Sequence, residues 1–432
     1  MGLRSVLTGA TTTLTEPVDP RFELAALAVQ DESLPLVFES VAGYPEVSAV
    51  TNVVSSRDRI ASALGVESGD IVTALTNATT APRELSAPMD AMFEHVADSP
   101  TVADYVPIPT YYAEHERQYI ASGIVVAQDP DTGVHNLSFH RLMYDGDTDF
   151  VMRLVERHLH DIRTRTDGPL GVAIVVGVHP AVELAAATSG SPDMSELEVA
   201  NALLDGDLAT TTIDGLTVPA EAELVMTGQI RAETRSEGPF VDLSRTWDTV
   251  RQQPVVEITS LHLRPDPNVR VVVPGRREHA HLMGLPQEPR IHRIVENTVP
   301  TVQEIVLTPG GCSWLHGVVA IEKRTEGDAK NAGLAALAAH PSMKRVVVVD
   351  EDIDPADSDA VEWAIATRVQ ADEDVETIEK AKGSSLDPSQ DFETGTLTKW
   401  LIDATVPENR EQSDFAEATV PGVENVHLEE YQ

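Results

Sequence analysis

A single cysteine, Cys312, is all the thiol this chain holds, which excludes an internal disulfide and any metal site built from several thiolates. Lysine is scarce as well: there are six, and none precedes Lys323. No apolar run approaches the roughly 18 residues that a membrane-spanning helix needs. The N-terminus, Met1-Gly2-Leu3-Arg4, leads into Thr- and Ser-rich sequence and not into the apolar core of a secretory signal. The expectation is a soluble, cytoplasmic protein.

Positive charge is the larger deficit. Lys and Arg total 31 against 70 Asp and Glu, a formal net charge of −39 over 432 residues. Such a field repels phosphate backbones and anionic lipid, so broad nucleic-acid or membrane-surface binding is excluded and only a local basic pocket is left open. Dense carboxylates on a Lys-poor surface stay hydrated where salt screens their repulsion, which suggests a halophilic source. Most of the acids are then solvation and not chemistry. Apolar residues, 42% of the chain, are enough to bury a core. At roughly 100–200 residues per domain the length allows two to four domains.

The N-terminal part mixes short elements. Leu36–Val41 and Val47–Val54 read as strands, and Ser56–Leu64 as a helix capped by Ser56. Residues 100–120, with Pro107, Pro109, Tyr111 and Tyr112, suggest a domain junction. The middle is β-rich: Ile124–Ala127, Val172–Val178, Glu223–Thr227, Val255–Leu263 and Arg270–Val273 each predict a strand. The last two are parted by a turn around Pro265-Asp266-Pro267-Asn268. One helix, Ser195–Leu204 with Ser195 as its cap, interrupts them. From about residue 300 the order is strand Val318–Ile321, helix Asp328–His340, strand Val346–Val349, helix Asp357–Gln370, which predicts a parallel α/β unit.

No P-loop, dinucleotide-binding turn, nucleophile elbow or zinc-type spacing is present. Three clusters carry chemistry. Asn136-Leu137-Ser138-Phe139-His140-Arg141, followed by Arg153 and Arg157-His158-Leu159-His160, crowds amide, imidazole and guanidinium groups. It suits a phosphate and a divalent ion, and equally an interior hydrogen-bond network or an exposed basic face. Glu237-Gly238-Pro239-Phe240-Val241-Asp242 sets two carboxylates either side of a bend. They can face one cavity, where like charge raises a proton affinity and an Arg lowers it, or form a surface turn. Glu322-Lys323-Arg324-Thr325-Glu326-Gly327-Asp328-Ala329-Lys330 reads as an anion-binding helix start or as a solvated charge run. Cys312 reads as packed structure.

From about Gly123 to Thr405 the chain resembles the UbiD family of decarboxylases, which use prenylated FMN. The resemblance lies in the Asn136–Arg141 and Glu237–Asp242 stretches, in Gly310-Gly311-Cys312-Ser313-Trp314-Leu315-His316, in Ala364-Ile365-Ala366-Thr367-Arg368 and in Ile402-Asp403-Ala404-Thr405. Met283–Arg290, Ile321–Asp328 and Ala381–Pro388 are similar to an archaeal branch, which implies decarboxylation of trans-anhydromevalonate 5-phosphate to isopentenyl phosphate. An aromatic (4-hydroxybenzoate-like) or other acrylic acid is the alternative substrate, and a non-catalytic flavin or metal carrier the alternative class. The resemblance implies a multidomain α+β and α/β fold: an N-terminal α/β portion (1–115), a central split β-barrel like that of flavin reductases (116–298) binding cofactor and metal, and a C-terminal α/β domain (299–432). The Glu-rich tail ending Glu429-Glu430-Tyr431-Gln432 would serve a homo-oligomer, dimer or hexamer, and be partly disordered.

The same resemblance implies site roles. Arg141, Glu237 and Asp242 match the catalytic trio, with Asp242 as proton shuttle. Phe139, His140, Arg141, Arg153 and Leu154 fall where the family touches the flavin, with Lys399 on the cofactor side. Asn136, Glu196 and His158 (or His160) match the ligands of a Mn²⁺, with K⁺ as an optional neighbour. A flavin prenyltransferase would supply the cofactor.

Overall fold

In a computed structural model, which describes residues 1–432 apart from 115, 116, 189, 419, 423–425, 428–430 and 432, the β-branched runs of the middle region build one nine-stranded antiparallel sheet. Its order is Tyr119–Ile120, Leu142–Tyr144, Asp149–Met152, Arg251–Leu263, Leu224–Glu237, Leu170–Val176, Ile124–Gln128 and His135–Phe139, with Glu94–Asp98 also on Arg251–Leu263. Two connections force it to curl. Residues 121–123 alone join Tyr119–Ile120 at one edge to Ile124–Gln128 next to the other. His140 and Arg141 alone join the edge strand His135–Phe139 to Leu142–Tyr144, second from the opposite edge. So few residues reach only about 10 Å. The two edges therefore meet, and the sheet is a half-barrel split along a seam.

Register shifts between Thr227 and Gly228 and between Ile230 and Thr234 bend the long strands. Gly228 is required there, because a Cβ would collide with the Glu257 carbonyl oxygen. Both faces of the sheet are buried, in strict alternation. Val125, Ala127, Val172, Ile174 and Val176 fill the concave core with Phe150, Met226 and Val256. Ile124, Val126, Ala173 and Val175 pack outward with Val182, Ala185, Leu197 and Ala200 from the helices Pro180–Ala187 and Glu196–Leu203.

The chain divides into two units, the first comprising Met1–Arg290, Pro309–Leu315 and Ser384–Gly395. Besides the half-barrel it holds a four-stranded sheet of Thr12–Leu14, Leu36–Phe38, Ser48–Thr51 and Asn268–Arg270. At its heart Arg270, wholly buried, meets Glu183 at 3.0 Å and Glu278 at 2.5 Å. Glu278 also accepts the Asn52 and Val54 backbone N–H groups at 2.9 and 2.8 Å, so it leaves no oxygen unpaired. This clamp fixes the helix Arg277–Gly284 against the N-terminal segment.

Three expectations need correction. Arg270–Val273 is not the strand: Asn268–Arg270 is, pairing parallel to Ser48–Thr51, because the strand begins as soon as the Pro265–Pro267 turn ends. Glu223–Thr227 is the start of a strand running Leu224–Glu237, continued through polar residues that face solvent at the sheet's end. The helix after Ser195 is Glu196–Leu203, and Ser195 stands at its N-cap without a side-chain capping bond. Ser56, by contrast, accepts Arg59 N at 3.2 Å and caps Arg57–Leu64. Residues 100–120 lie inside the first unit.

The second unit, Ile291–Thr308, His316–Gly383 and Thr396–Gln432, is the expected α/β element. His316–Ile321, Arg345–Asp350 and Thr396–Ala404 run parallel, flanked by antiparallel Val302–Leu307 and Val375–Lys382. The helices Gly327–Ala339 and Ser358–Arg368 cover opposite faces. No described helix is long and apolar enough to cross a membrane. Of the tail residues read from the sequence, Glu429, Glu430 and Gln432 lie outside the described residues.

Candidate active site

Arg141 stands in the two-residue link at the seam, and three carboxylates converge on it. Nε and Nη2 donate to the two oxygens of Glu237, both at 2.9 Å. Nη1 donates to Asp242 Oδ2 at 2.9 Å, and Nη2 also to Asp248 Oδ2 at 2.9 Å. The Phe240 ring lies 4.4 Å below the guanidinium and meets the Tyr119 ring at a tilt, with centroids 4.9 Å apart. The Tyr119 hydroxyl donates to Glu237 Oε1 at 3.3 Å. Burial opposes the charge of Arg141, but Glu237, Asp242 and Asp248 outweigh it and raise its pKa. Burial also raises the Tyr119 hydroxyl, and Glu237 adds to it.

The three acids are not equivalent. Glu237 is bidentate, and its side chain is 0% exposed. Asp248 is 6% exposed and tied to Arg251 at 2.7 Å. Burial lifts its pKa, but Arg251 and Arg141 together hold it below the usual range. Asp242 is 17% exposed and keeps one bond to Arg141, its other oxygen taking Leu243 N at 2.8 Å. Of the three acids it is the most exposed. His279, on the helix fixed by the Arg270 clamp, lies beside Asp242 and Arg141. Burial lowers its pKa, which Asp242 opposes, and Nδ1 accepts Gly275 N at 3.0 Å.

Asn136 and Glu196, 60 residues apart in sequence, also meet. Asn136 Nδ2 donates to Glu196 Oε1 at 3.3 Å, and Leu137 N to Oε2 at 2.9 Å. Glu196 is buried and forms no ion pair among the described residues, and burial lifts its carboxyl to about 7 despite these bonds. An uncompensated buried carboxylate beside an amide oxygen is a donor set that fits a hard cation. Ser138 Oγ lies 3.3 Å from Asn136 Oδ1 and 2.9 Å from His140 Nε2. His140 Nδ1 donates to Arg153 O at 2.8 Å, and burial lowers its pKa to about 4.

His158 opens the helix His158–Arg165, which packs on the strand carrying Asn136, while His160 Nδ1 is 3.6 Å from Asp161. Arg153 is half-buried, donates to Leu154 O at 3.4 Å and forms no ion pair among the described residues. A guanidinium without a carboxylate suits a phosphate. Leu154 N donates to Gln253 at 2.7 Å, and Phe139 packs beneath on the outward face. Lys399 belongs to the second unit, where Nζ donates to Pro341 O at 2.6 Å and burial lowers its pKa to about 8. The Lys323–Asp328 run neutralises itself: Lys323 pairs with Glu326 at 2.8 Å, and Asp328 accepts Arg324 N and Thr325 N at 2.9 Å.

Asp248, Tyr119 and His279 complete the site without having been singled out from the sequence. Asp248 arrives through the hairpin pairing Phe240–Val241 with Trp247–Asp248. His279 arrives through a buried ion-pair clamp that no linear spacing announces.

Three descriptions of one family match in succession: the UbiD N-terminal domain over residues 8–79, the Rift-related domain of 3-octaprenyl-4-hydroxybenzoate carboxy-lyase over 83–277, and its C-terminal domain over 280–404. An anhydromevalonate phosphate decarboxylase of Methanocaldococcus jannaschii is 42% identical over 97% of this chain and 100% of its own length. The UbiD-class enzyme HmfF from Pelotomaculum thermopropionicum, solved with FMN, is 36% identical over 100% of both chains with a TM-score of 0.94. An evolved dimeric form of it, solved with prFMN, gives 34% identity over 100% of both chains and a TM-score of 0.90.

Proposed function

This chain is a member of the UbiD family, and on that footing we propose that it is a prenylated-FMN-dependent decarboxylase of trans-anhydromevalonate 5-phosphate, releasing isopentenyl phosphate and CO2. The observation that carries the reading is the clamp of Arg141 by Glu237 and Asp242, with Asp242 on the open side. A flavin carrier needs a phosphate site and has no use for a balanced acid–base trio.

When bound, the cofactor supplies the electron sink for the pair left behind as the carbon–carboxyl bond breaks. The protein's work is to bind, orient and deliver a proton. Asp242, protonated, donates to the carbon that CO2 has left and is recharged from solvent, so one proton replaces one CO2. Arg141 holds Asp242 in place through one hydrogen bond while Glu237 takes the rest of the guanidinium. Arg153 offers a guanidinium without a carboxylate partner among the described residues to the cofactor phosphate, with Phe139, His140 and Leu154 along the same wall. Asn136 and Glu196, with His158 in preference to the Asp161-directed His160, would hold a Mn²⁺ that draws that phosphate in.

The half-barrel then corresponds to the flavin-reductase-type barrel, the three parts 1–115, 116–298 and 299–432 to the family's domains, and the assembly to a homo-oligomer loaded by a flavin prenyltransferase. Protein co-produced with that enzyme and assayed in high salt should release CO2 from trans-anhydromevalonate 5-phosphate and not from a panel of aromatic acids. The reverse preference would select the aromatic substrate, and a flavin spectrum without any CO2 release would select the carrier.

A further inference from the structure

The turn that follows Asp242 closes through Arg245 N to Asp242 O at 2.8 Å and holds Arg245 at a φ of 62° with its side chain exposed. Gly275 packs against that turn: its φ is 70°, and a Cβ there would lie 3.0 Å from Asp242 O. Glycine is therefore required, and its successor Arg276 is delivered beside Asp242 and Arg245. The two guanidiniums share a neighbour, Tyr112. Arg276 hydrogen-bonds its hydroxyl, and the charges of both arginines lower a phenol that burial raises. The same hydroxyl donates to Pro274 O at 2.6 Å, which fixes the ring.

Among the described residues neither Arg245 nor Arg276 forms an ion pair, and the buried Arg276 Nε has no hydrogen-bond partner. Glu32, whose charge acts on Tyr112, is committed to Arg277, at 3.0 Å to its backbone N–H and 3.8 Å to its guanidinium. Cys312 is the other neighbour of Arg245. In a chain of net charge −39, two adjacent arginines left without carboxylates beside the proton-donating acid are a site prepared for an anion.

We infer that Arg276 and Arg245, with the Tyr112 hydroxyl between them, hold the phosphate of the substrate, and so set the specificity for a phosphorylated acid over an aromatic one. This rests on the decarboxylase reading above and names the residues that make it selective. The substrate's phosphate lies at the opposite end of its carbon chain from the carboxylate. Anchoring it here points the other end past Asp242 toward Arg141.

The test uses the cofactor-loaded enzyme and its Arg276→Ala, Arg245→Gln and double variants. KM for trans-anhydromevalonate 5-phosphate should rise about tenfold or more in each single variant and further in the double, with kcat falling by less than KM rises, the pattern of a lost remote anchor. Calorimetric Kd values for isopentenyl phosphate and for inorganic phosphate should weaken in parallel. Arg276→Lys should recover part of the loss, since charge returns without the planar fork. Unchanged KM and Kd in a double variant that keeps its flavin absorbance overturns the assignment, and the exposed Arg245→Gln variant carries this result alone should Arg276→Ala fold poorly. If the wild type binds isopentenyl phosphate but releases no CO2 from the phosphorylated acid, the substrate reading falls. The arginine site is then judged by the binding arm: weakened binding in the variants supports it, and unchanged binding overturns it.

Discussion

Two arginines in the first unit are each clamped by glutamates, yet they do opposite things. Arg270 is sealed, and its partners Glu183 and Glu278 are 2% and 1% exposed, with Glu278 further tied to backbone N–H groups. Arg141 carries one sealed bidentate partner, Glu237, and one at 17% exposure, Asp242, held by a single guanidinium bond. Charge pattern and hydrogen-bond chemistry are alike in the two clusters. On the proposed reading, what separates a structural clamp from a catalytic one is a single carboxylate left within reach of a ligand.

The comparison can be broken from either side. Arg141→Leu removes the positive centre from three carboxylates, and turnover should become undetectable in a CO2 assay. Arg270→Leu strands two buried acids and should cost about 3–5 kcal/mol, read as a fall in denaturant midpoint. Whatever folds should still retain flavin and turn over. Activity lost in Arg270→Leu protein that is demonstrably folded would put that clamp inside the chemistry.

Smaller effects sharpen the contrast, because the two clusters respond to pH with opposite sign. Burial raises Glu183, and Glu278 adds to it, although Arg270 opposes both. Its folded form therefore binds a proton more tightly than the unfolded chain does, and stability falls as pH rises above the ordinary glutamate range. Asp248 is lowered, burial being outweighed by Arg251 and Arg141. It contributes stability above the ordinary aspartate range that is lost as pH falls through its folded value. Denaturant midpoints measured across pH should show Glu183→Gln flattening the first slope and Asp248→Asn the second. The same slope from both variants would contradict the assignment.

Much of this was legible in the residues. The parallel α/β unit announced itself through apolar strands alternating with helical stretches, and Ser56 capped the helix it was expected to cap. Arg141, Glu237 and Asp242 stood out through motif resemblance, and the structure brings them together. The short strands His135–Phe139, Leu142–Tyr144 and Asp149–Met152 were missed: the first interleaves the polar His135, Asn136 and Ser138, and the other two are apolar runs too short to show a period. Asp248 and His279 were invisible for another reason. One is placed by a hairpin and the other by a buried ion pair, so their meeting is a property of the tertiary packing. Ser195 looked like a cap, but the bond its residue type permits is not made.

The most direct measurement compares Asp242→Asn with the wild type, both loaded with cofactor, for CO2 release, flavin absorbance and denaturant midpoint together. The account predicts a loss of roughly 10³-fold in CO2 release, an unchanged flavin spectrum and a midpoint free energy within about 1 kcal/mol of wild type. CO2 release at the wild-type rate would contradict it.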